Sequence, residues 1–252
     1  MPIPTPRPGA PRLMLALAAI TAAFLAILGA AAPAARAATT PVYAGTGWKA
    51  DTANGIYSVS PDPYTIVFAD ATARTKLSGY FTRPATQLAG IGIKLTVSTT
   101  IDTSTSLCPA RHRIIVHYTY RPLGVKGMSQ ARSCYDMTDG SAWGGHILMD
   151  TEYWTSSSWF STTATLNEVY RRNAVTHELG HILGLAHPNY DRDKDGRIED
   201  FECVKNTSSW TPVLCAPNGG NRTATYAGNF VTAYDLAGLK QLLANYYARQ
   251  TT

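Results

Sequence analysis

The chain has 252 residues, of which 45% are hydrophobic and 15% are Asp, Glu, Lys or Arg. This composition supports a sizeable core and excludes an intrinsically disordered chain or a coiled coil. Three of the 22 Lys and Arg residues lie within residues 1–37, which leaves 19 against 17 Asp and Glu in the remainder. Because this remainder is nearly neutral and has no basic run, the sequence does not support nucleic-acid binding.

Residues 1–37 predict a secretory signal peptide. Arg7 and Arg12 precede an uncharged, Ala-rich run over residues 13–32, and a small-x-small cleavage site follows at residues 35–37. A retained membrane anchor is the alternative, because about twenty uncharged residues can span a bilayer. The run is only moderately apolar and ends at a cleavage site, which favours cleavage. We therefore expect a secreted, extracellular protein with no membrane attachment after cleavage.

The elements predicted along the rest of the chain alternate between strands and helices. Runs rich in branched and aromatic residues predict strands at residues 65–69, 91–97, 112–120 and 145–150. A short helix is expected around residues 77–81, where Pro84 limits its extent, and longer helices are expected at residues 166–183 and 236–247. No repeat or linker interrupts this order, so we predict one α/β (α+β) domain over residues 38–252 with a mixed, twisted sheet.

The cysteines are even in number and follow a predicted export signal, so they indicate disulfide bonds. Three pairings are open for Cys108, Cys134, Cys203 and Cys215. The pairs Cys108–Cys134 and Cys203–Cys215 are favoured because each closes a local loop, worth about 3–3.5 kcal/mol on the loop-entropy model. Zinc ligation by thiolates is disfavoured because no C-x-x-C spacing is present.

The predicted helix at residues 166–183 has the clearest boundaries. Thr165 and Glu168 form the pattern of a capping box at its start. Gly184 stands where a residue with positive φ would end the helix.

His177 and His181 lie one helical turn apart, so both imidazoles can reach one metal ion at about 2.0–2.1 Å. A sharp turn at Gly184 can return His187 as a third ligand. Three neutral histidines leave zinc an open position for a water whose pKa falls to about 7. Glu178 is the expected general base. A buried structural histidine cluster is the alternative, but the whole pattern arises by chance with a probability of only about 10⁻⁵.

The pattern H-E-x-x-H-x-x-G-x-x-H over residues 177–187 is the zinc signature of the metzincin metallopeptidases, and the chain resembles that family over residues 173–188. Residues 145–154 also resemble the edge-strand region of the matrixin branch, where the strand binds the substrate as an antiparallel partner. The resemblance implies a metzincin-like domain with an active-site helix and a C-terminal helix. It also implies hydrolysis of internal peptide bonds, with zinc on His177, His181 and His187 and with Glu178 as the catalytic residue.

The chain departs from the family pattern in two ways. Metzincins carry a methionine turn beneath the zinc, whereas the corresponding stretch here, residues 211–217, has Leu214 in the methionine's place. A similarly sized apolar side chain should preserve activity. No cysteine-switch propeptide is visible, so Cys108 is expected in a disulfide. Pro188 resembles the serralysin branch more than the matrixin one, but no tyrosine lies two residues beyond Leu214, so the subfamily stays open.

Residues 191–202 match the EF-hand calcium loop, with acids at positions 1, 3, 5, 9 and 12 and Gly196 at position 6. The alternative is a solvated acidic turn. Pro188 disfavours an entering helix, so we expect a structural Ca²⁺ site of modest affinity, at about 10⁻⁴–10⁻³ M, that orders the segment between His187 and Leu214. The expected ligands are the carboxylates of Asp191, Asp193, Asp195 and Glu202 and the backbone carbonyl of Arg197.

The sequence thus predicts a secreted, monomeric zinc metalloendopeptidase that acts on protein or peptide substrates and also binds calcium. One alternative is a catalytically silent Zn/Ca-binding interaction module, which the presence of Glu178 disfavours. A second alternative, a zinc hydrolase of a non-peptide amide such as a cell-wall crosslink, stays open.

Overall fold

The computed structural model of the protein describes residues 40–250, so the predicted signal peptide at residues 1–37 lies outside the described residues. Within the described part, the strands form two sheets. The small sheet has the order β1-β2-β9 and is antiparallel. Its strands are β1 (Ala44–Gly45), β2 (Trp48–Ala50) and β9 (Leu185–Ala186).

The main sheet is mixed and has six strands. They are β3 (Ser58–Val59), β4 (Tyr64–Phe68), β5 (Leu95–Ile101), β6 (Arg113–Thr119), β7 (Gln130–Tyr135) and β8 (Ser141–Asp150). The strand order is β3-β8-β6-β4-β5, and β7 also pairs with β8. All these pairings are parallel except that of β7, which is antiparallel to β8.

The prediction that residues 145–154 contain the edge strand is wrong. β8 pairs with β6 over Gly145–Asp150 and with β7 between Ala142 and Leu148, so it is an interior strand. Nearly every residue of β8 is buried, as expected of a strand with neighbours on both sides. Its antiparallel neighbour β7 is an edge strand, and the sequence did not predict it.

The helices confirm the mixed α+β class. They are α1 (Ala71–Leu77), α2 (Thr82–Ala89), α3 (Glu152–Thr155), α4 (Ala164–Ile182) and α5 (Ala237–Arg249). Pro84 lies in the first turn of α2, where a missing N–H breaks no helical hydrogen bond. Within residues 40–250 no helix combines the length and hydropathy needed to cross a bilayer.

The core lies between the main sheet and the helices. Ile66 of β4, Val116 of β6 and Ile147 of β8 are fully buried and pack in one cluster with Leu179 of α4 and Leu242 of α5. Side chains alternate along a strand, so His146, next to Ile147, lies on the opposite face. Because Leu179 of α4 belongs to this cluster, the core holds α4, which carries two of the predicted zinc ligands, against the sheet.

Both predicted disulfides are confirmed. Cys108 pairs with Cys134 across a Cα–Cα distance of 5.9 Å, and Cys203 pairs with Cys215 across 6.1 Å. The second bridge ties the end of the acidic loop at residues 191–202 to the turn that contains Leu214.

The boundaries of α4 differ in part from the prediction. The capping box is wrong: Thr163 is the N-cap residue, without a side-chain cap bond, and Glu168 instead pairs with Arg172 at 3.0 Å and accepts from the Tyr80 hydroxyl at 3.0 Å. Glu168 therefore bonds to Arg172 within its own helix and to Tyr80, and not back to the N-cap residue. The predicted end is confirmed, since Gly184 follows the helix with a φ of 97°.

Candidate active site

The three histidines of the motif converge. The Nε2 atoms of His177 and His187 are 2.9 Å apart, those of His181 and His177 are 3.1 Å apart, and those of His181 and His187 are 3.0 Å apart. Ligand nitrogens around a tetrahedral zinc ion are separated by about 3.3 Å when each Zn–N bond is about 2.05 Å. The triad therefore has nearly the dimensions of three corners of a zinc tetrahedron.

Backbone carbonyls hold the two helical histidines in the orientation a metal ligand needs. His177 Nδ1 lies 2.8 Å from the Val213 carbonyl and His181 Nδ1 lies 2.7 Å from the Leu185 carbonyl. A carbonyl only accepts, so each Nδ1 carries the proton and each Nε2 presents a lone pair to the centre of the triad. Converging lone pairs repel one another unless a cation lies between them, so the donor set fits zinc.

The small sheet places the third histidine. After Gly184 the chain forms β9, where Ala186 pairs with Lys49 of β2. The Asp51 N–H also donates to the Gly184 carbonyl at 2.9 Å. These contacts fix the return of the chain and bring His187 opposite the helix.

The site keeps its imidazoles neutral. Burial lowers the pKa of His177 well below its ordinary value, and the neighbouring His181 and His187 lower it further. Burial also lowers the pKa of His187 to about 4, with additional contributions from His181 and Lys49. Neutral imidazole is the form that binds a metal.

Glu178 is buried beside the triad, with only 8% of its surface exposed. Burial raises the pKa of its carboxyl to about 8, although the Ala131 backbone N–H donates to it and lowers the pKa. A carboxyl group can accept a proton in its ionised form and return it afterwards. The contact with Ala131 also joins Glu178 to the edge strand β7.

Two cavities of about 360 Å³ each flank the triad. The first lies against β7 and includes Ala131, Ser133, His181 and His187 in its lining. The second borders Glu178 and His177 and has aromatic walls. A peptide bound along β7 would thus have one cavity on each side of the histidines.

Leu214 lies beneath α4, as the methionine-turn comparison predicts. It is 1% exposed, and a Cβ built on Gly180 would stand 2.5 Å from its Cδ2. Gly180 is therefore the residue type that lets the leucine approach the helix between the two ligand histidines.

Asp235 also holds the turn that contains Leu214, a role that the sequence did not predict. Its buried carboxylate accepts the N–H groups of Val213 at 2.8 Å, Leu214 at 3.1 Å and Val231 at 3.0 Å. Burial raises the pKa of Asp235 to about 6 against the opposing effect of these backbone donors. Because the Val213 carbonyl holds His177, Asp235 positions a ligand it does not touch.

The acidic loop at residues 191–202 brings three predicted ligands together. Carboxylate oxygens of Asp191, Asp193 and Asp195 lie within 4.8 Å of one another. The Glu202 carboxylate folds back to the start of the loop, where it accepts hydrogen bonds from the N–H groups of Arg192, Asp193 and Glu199. The hydrogen bond from Glu199 makes the largest contribution to the lowered pKa of Glu202. The Arg197 N–H donates to Asp195 at 2.9 Å. An all-oxygen donor set of this kind suits Ca²⁺.

No protein-family model matches the chain. Serralysin G of Dickeya chrysanthemi is 30% identical over 97 residues, covering 35% of this chain and 20% of that protein. The chain thus spans about a fifth of the length of that relative. Among solved structures, the chain is similar to the GM1-bound form of the ECX AB5 holotoxin. The match covers 80% of this chain and 86% of the other chain, with 12% sequence identity and a TM-score of 0.37. That score is too low to indicate a shared fold.

The similarity to serralysin G is limited to about a third of this chain, and the three histidines form a group that could hold a metal ion. The activity and the substrates of the whole chain are therefore matters for a proposal.

Proposed function

We propose that this protein is a secreted, zinc-dependent endopeptidase of the metzincin type. The observation that carries the proposal is the convergence of three Nε2 atoms within 3.1 Å beside the buried carboxyl of Glu178. The signal-peptide pattern of residues 1–37 supports export, and the serralysin similarity supports the class of reaction.

His177, His181 and His187 would hold a zinc ion, which would supply the Lewis acidity for hydrolysis. Glu178 accepts the proton of the attacking water and returns it to the leaving amine of the substrate. The carbonyls of Val213 and Leu185 hold the ligand imidazoles, so these two side chains need not reorganise during the reaction.

The edge strand β7 supports an extended peptide as the substrate. Among the described strands, β7 pairs only with β8, so its other edge offers N–H and C=O groups. A substrate that adds to this edge as a further strand gains main-chain hydrogen bonds. The Ala131 contact to Glu178 places that edge next to the proposed general base.

We further propose that the acidic loop binds one structural Ca²⁺. Its carboxylates lie on a largely exposed segment between His187 and the Leu214 turn. A divalent cation there neutralises the clustered acids and orders the segment. The expected affinity is modest, at about 10⁻⁴–10⁻³ M.

The test replaces Glu178 by Gln in the secreted, zinc-loaded protein. Cleavage of a denatured-protein panel, with products identified by mass spectrometry, should fall about 10²–10⁴-fold, since the general base is lost. Zinc content should stay unchanged because the three ligands remain. A substrate with a non-peptide amide, such as a cell-wall crosslink, is run in parallel and tests that alternative. A wild-type protein that binds zinc but cleaves neither substrate would instead favour the silent module.

A further inference from the structure

A third cavity, of about 350 Å³, lies between Gln87 of α2 and the segment over residues 206–233. Among the described residues, it shares no lining residue with the two cavities that flank the histidine triad. None of the described side chains that line it is charged. A charged ligand would lose its hydration there without meeting an opposite charge, so the cavity suits a neutral ligand.

Two aromatic side chains belong to the wall of this cavity. Trp210 and Tyr226 both line it, and their rings lie 5.4 Å apart between centroids at an interplanar angle of 52°. Tyr226 is 49% exposed. Rings set in this way offer apolar surface to a cyclic ligand that has C–H groups on one face.

Asn221 adds a buried hydrogen-bond acceptor. It lines the cavity and is only 3% exposed. Its Nδ2 donates to the carbonyls of Tyr226 at 3.2 Å and Asn229 at 3.4 Å. Carbonyls only accept, so these contacts fix which end of the amide is the NH₂ group. They leave Oδ1 without a donor among the residues that the structure describes, and a buried acceptor is stabilised by a donor.

Asn206 adds the complementary donor. Its Oδ1 accepts the N–H groups of Ser208 at 3.0 Å and Trp210 at 2.9 Å, and its backbone N–H donates to the Trp210 carbonyl at 3.0 Å. Because backbone N–H groups only donate, the amide oxygen must face them. Nδ2 then keeps both of its donors free of any described partner. The same contacts fix the backbone of Trp210 beside the cavity.

We propose that this cavity binds a neutral saccharide unit. The rings of Trp210 and Tyr226 would pack against the C–H face of a pyranose, while its hydroxyl groups would donate to Asn221 Oδ1 and accept from Asn206 Nδ2. A hydroxyl group can do both, whereas a hydrocarbon would leave both amides unpaired. The proposal goes beyond the endopeptidase activity proposed above and does not depend on it.

The test uses the full-length secreted protein from a host without N-glycosylation, because residues 206–208 and 221–223 both match the acceptor pattern for N-linked glycans. The probes are the neutral oligosaccharides lactose, maltotriose, cellotriose and acetylated chitotriose, with trigalacturonic acid as the anionic counterpart. Calorimetry measures each Kd. At least one neutral probe should bind saturably and more tightly than the anionic one. Absence of binding by all the neutral probes, or tighter binding of the anionic probe, would overturn the proposal.

Three variants place the binding in this cavity. Trp210→Ala should weaken binding of the tightest neutral probe about tenfold, because it removes an aromatic contact. Asn206→Asp keeps the oxygen that accepts from the turn but removes the free donor, and it should weaken binding about fivefold.

Tyr120→Ala is the matched control, because Tyr120 is 61% exposed and does not line the cavity. It should leave the Kd within about twofold of the wild-type value. An unchanged Kd in folded Trp210→Ala, or in Asn206→Asp where Trp210→Ala does not fold, would show that the saccharide binds elsewhere and would overturn the assignment.

Discussion

The two candidate ion sites are close in sequence but are built in different ways. The histidine triad is held by the core: α4 packs on the sheet, β9 pairs with β2, and backbone carbonyls orient two of the rings. The acidic loop is largely exposed, and its carboxylates bond mainly to the N–H groups of the loop itself. Several elements of the fold thus position the histidines, whereas the carboxylates of the acidic loop are held mainly by the loop's own backbone N–H groups.

The largest expected contrast is between His181→Ala and Asp193→Asn. Removing a histidine ligand should abolish zinc binding. It should also lower kcat/KM at least about 10³-fold, because the metal supplies several kcal/mol of transition-state stabilisation. Asp193→Asn, assayed with calcium, should retain both zinc and most of the activity. A quenched peptide assay with metal analysis measures both variants. Similar losses in the two would contradict the separation of roles.

Asp235→Asn tests whether the core prepares the triad. The amide NH₂ would face backbone N–H groups that now donate to Asp235, so the free energy of unfolding should fall by about 2 kcal/mol. Zinc affinity should fall about tenfold through the Val213 carbonyl. Denaturant unfolding and a competitive zinc titration measure these effects.

Asp62→Asn is the matched control, because the Asp62 side chain is 65% exposed, and it should change neither quantity. If Asp235→Asn lowers stability but leaves zinc affinity at the wild-type value, Asp235 supports the fold and not the ligand.

The smallest expected effect is that of calcium on stability. At a Ca²⁺ concentration of about 10 mM and a Kd of about 10⁻³ M, binding should stabilise the protein by about 1.4 kcal/mol. Thermal unfolding in calcium and in equal magnesium measures the gain, and Glu202→Gln should reduce it. Identical midpoints in the two salts would remove the support for a calcium site.

The sequence predicted the triad because its information is local. His177 and His181 follow helical periodicity, and Gly184 marks the turn that precedes His187. The two disulfides were also predictable, since each closes a short loop.

What the sequence analysis missed depends on pairing between distant segments. β7 has a short, mixed sequence with little strand signal, and it was overlooked in favour of β8. The almost continuous apolar character of β8 is typical of an interior strand and could have corrected that choice. No local pattern marks Asp235, because its role arises only where the turn that contains Val213 and Leu214 packs against α4.

The leucine beneath the histidines has a chemical consequence. A methionine in that position could be oxidised to a polar sulfoxide, which disrupts the apolar packing around it. Leu214 has no sulfur and is 1% exposed, so peroxide cannot alter the support of α4 at this point. We expect the floor of the triad to keep its shape in oxidising surroundings that would damage a thioether.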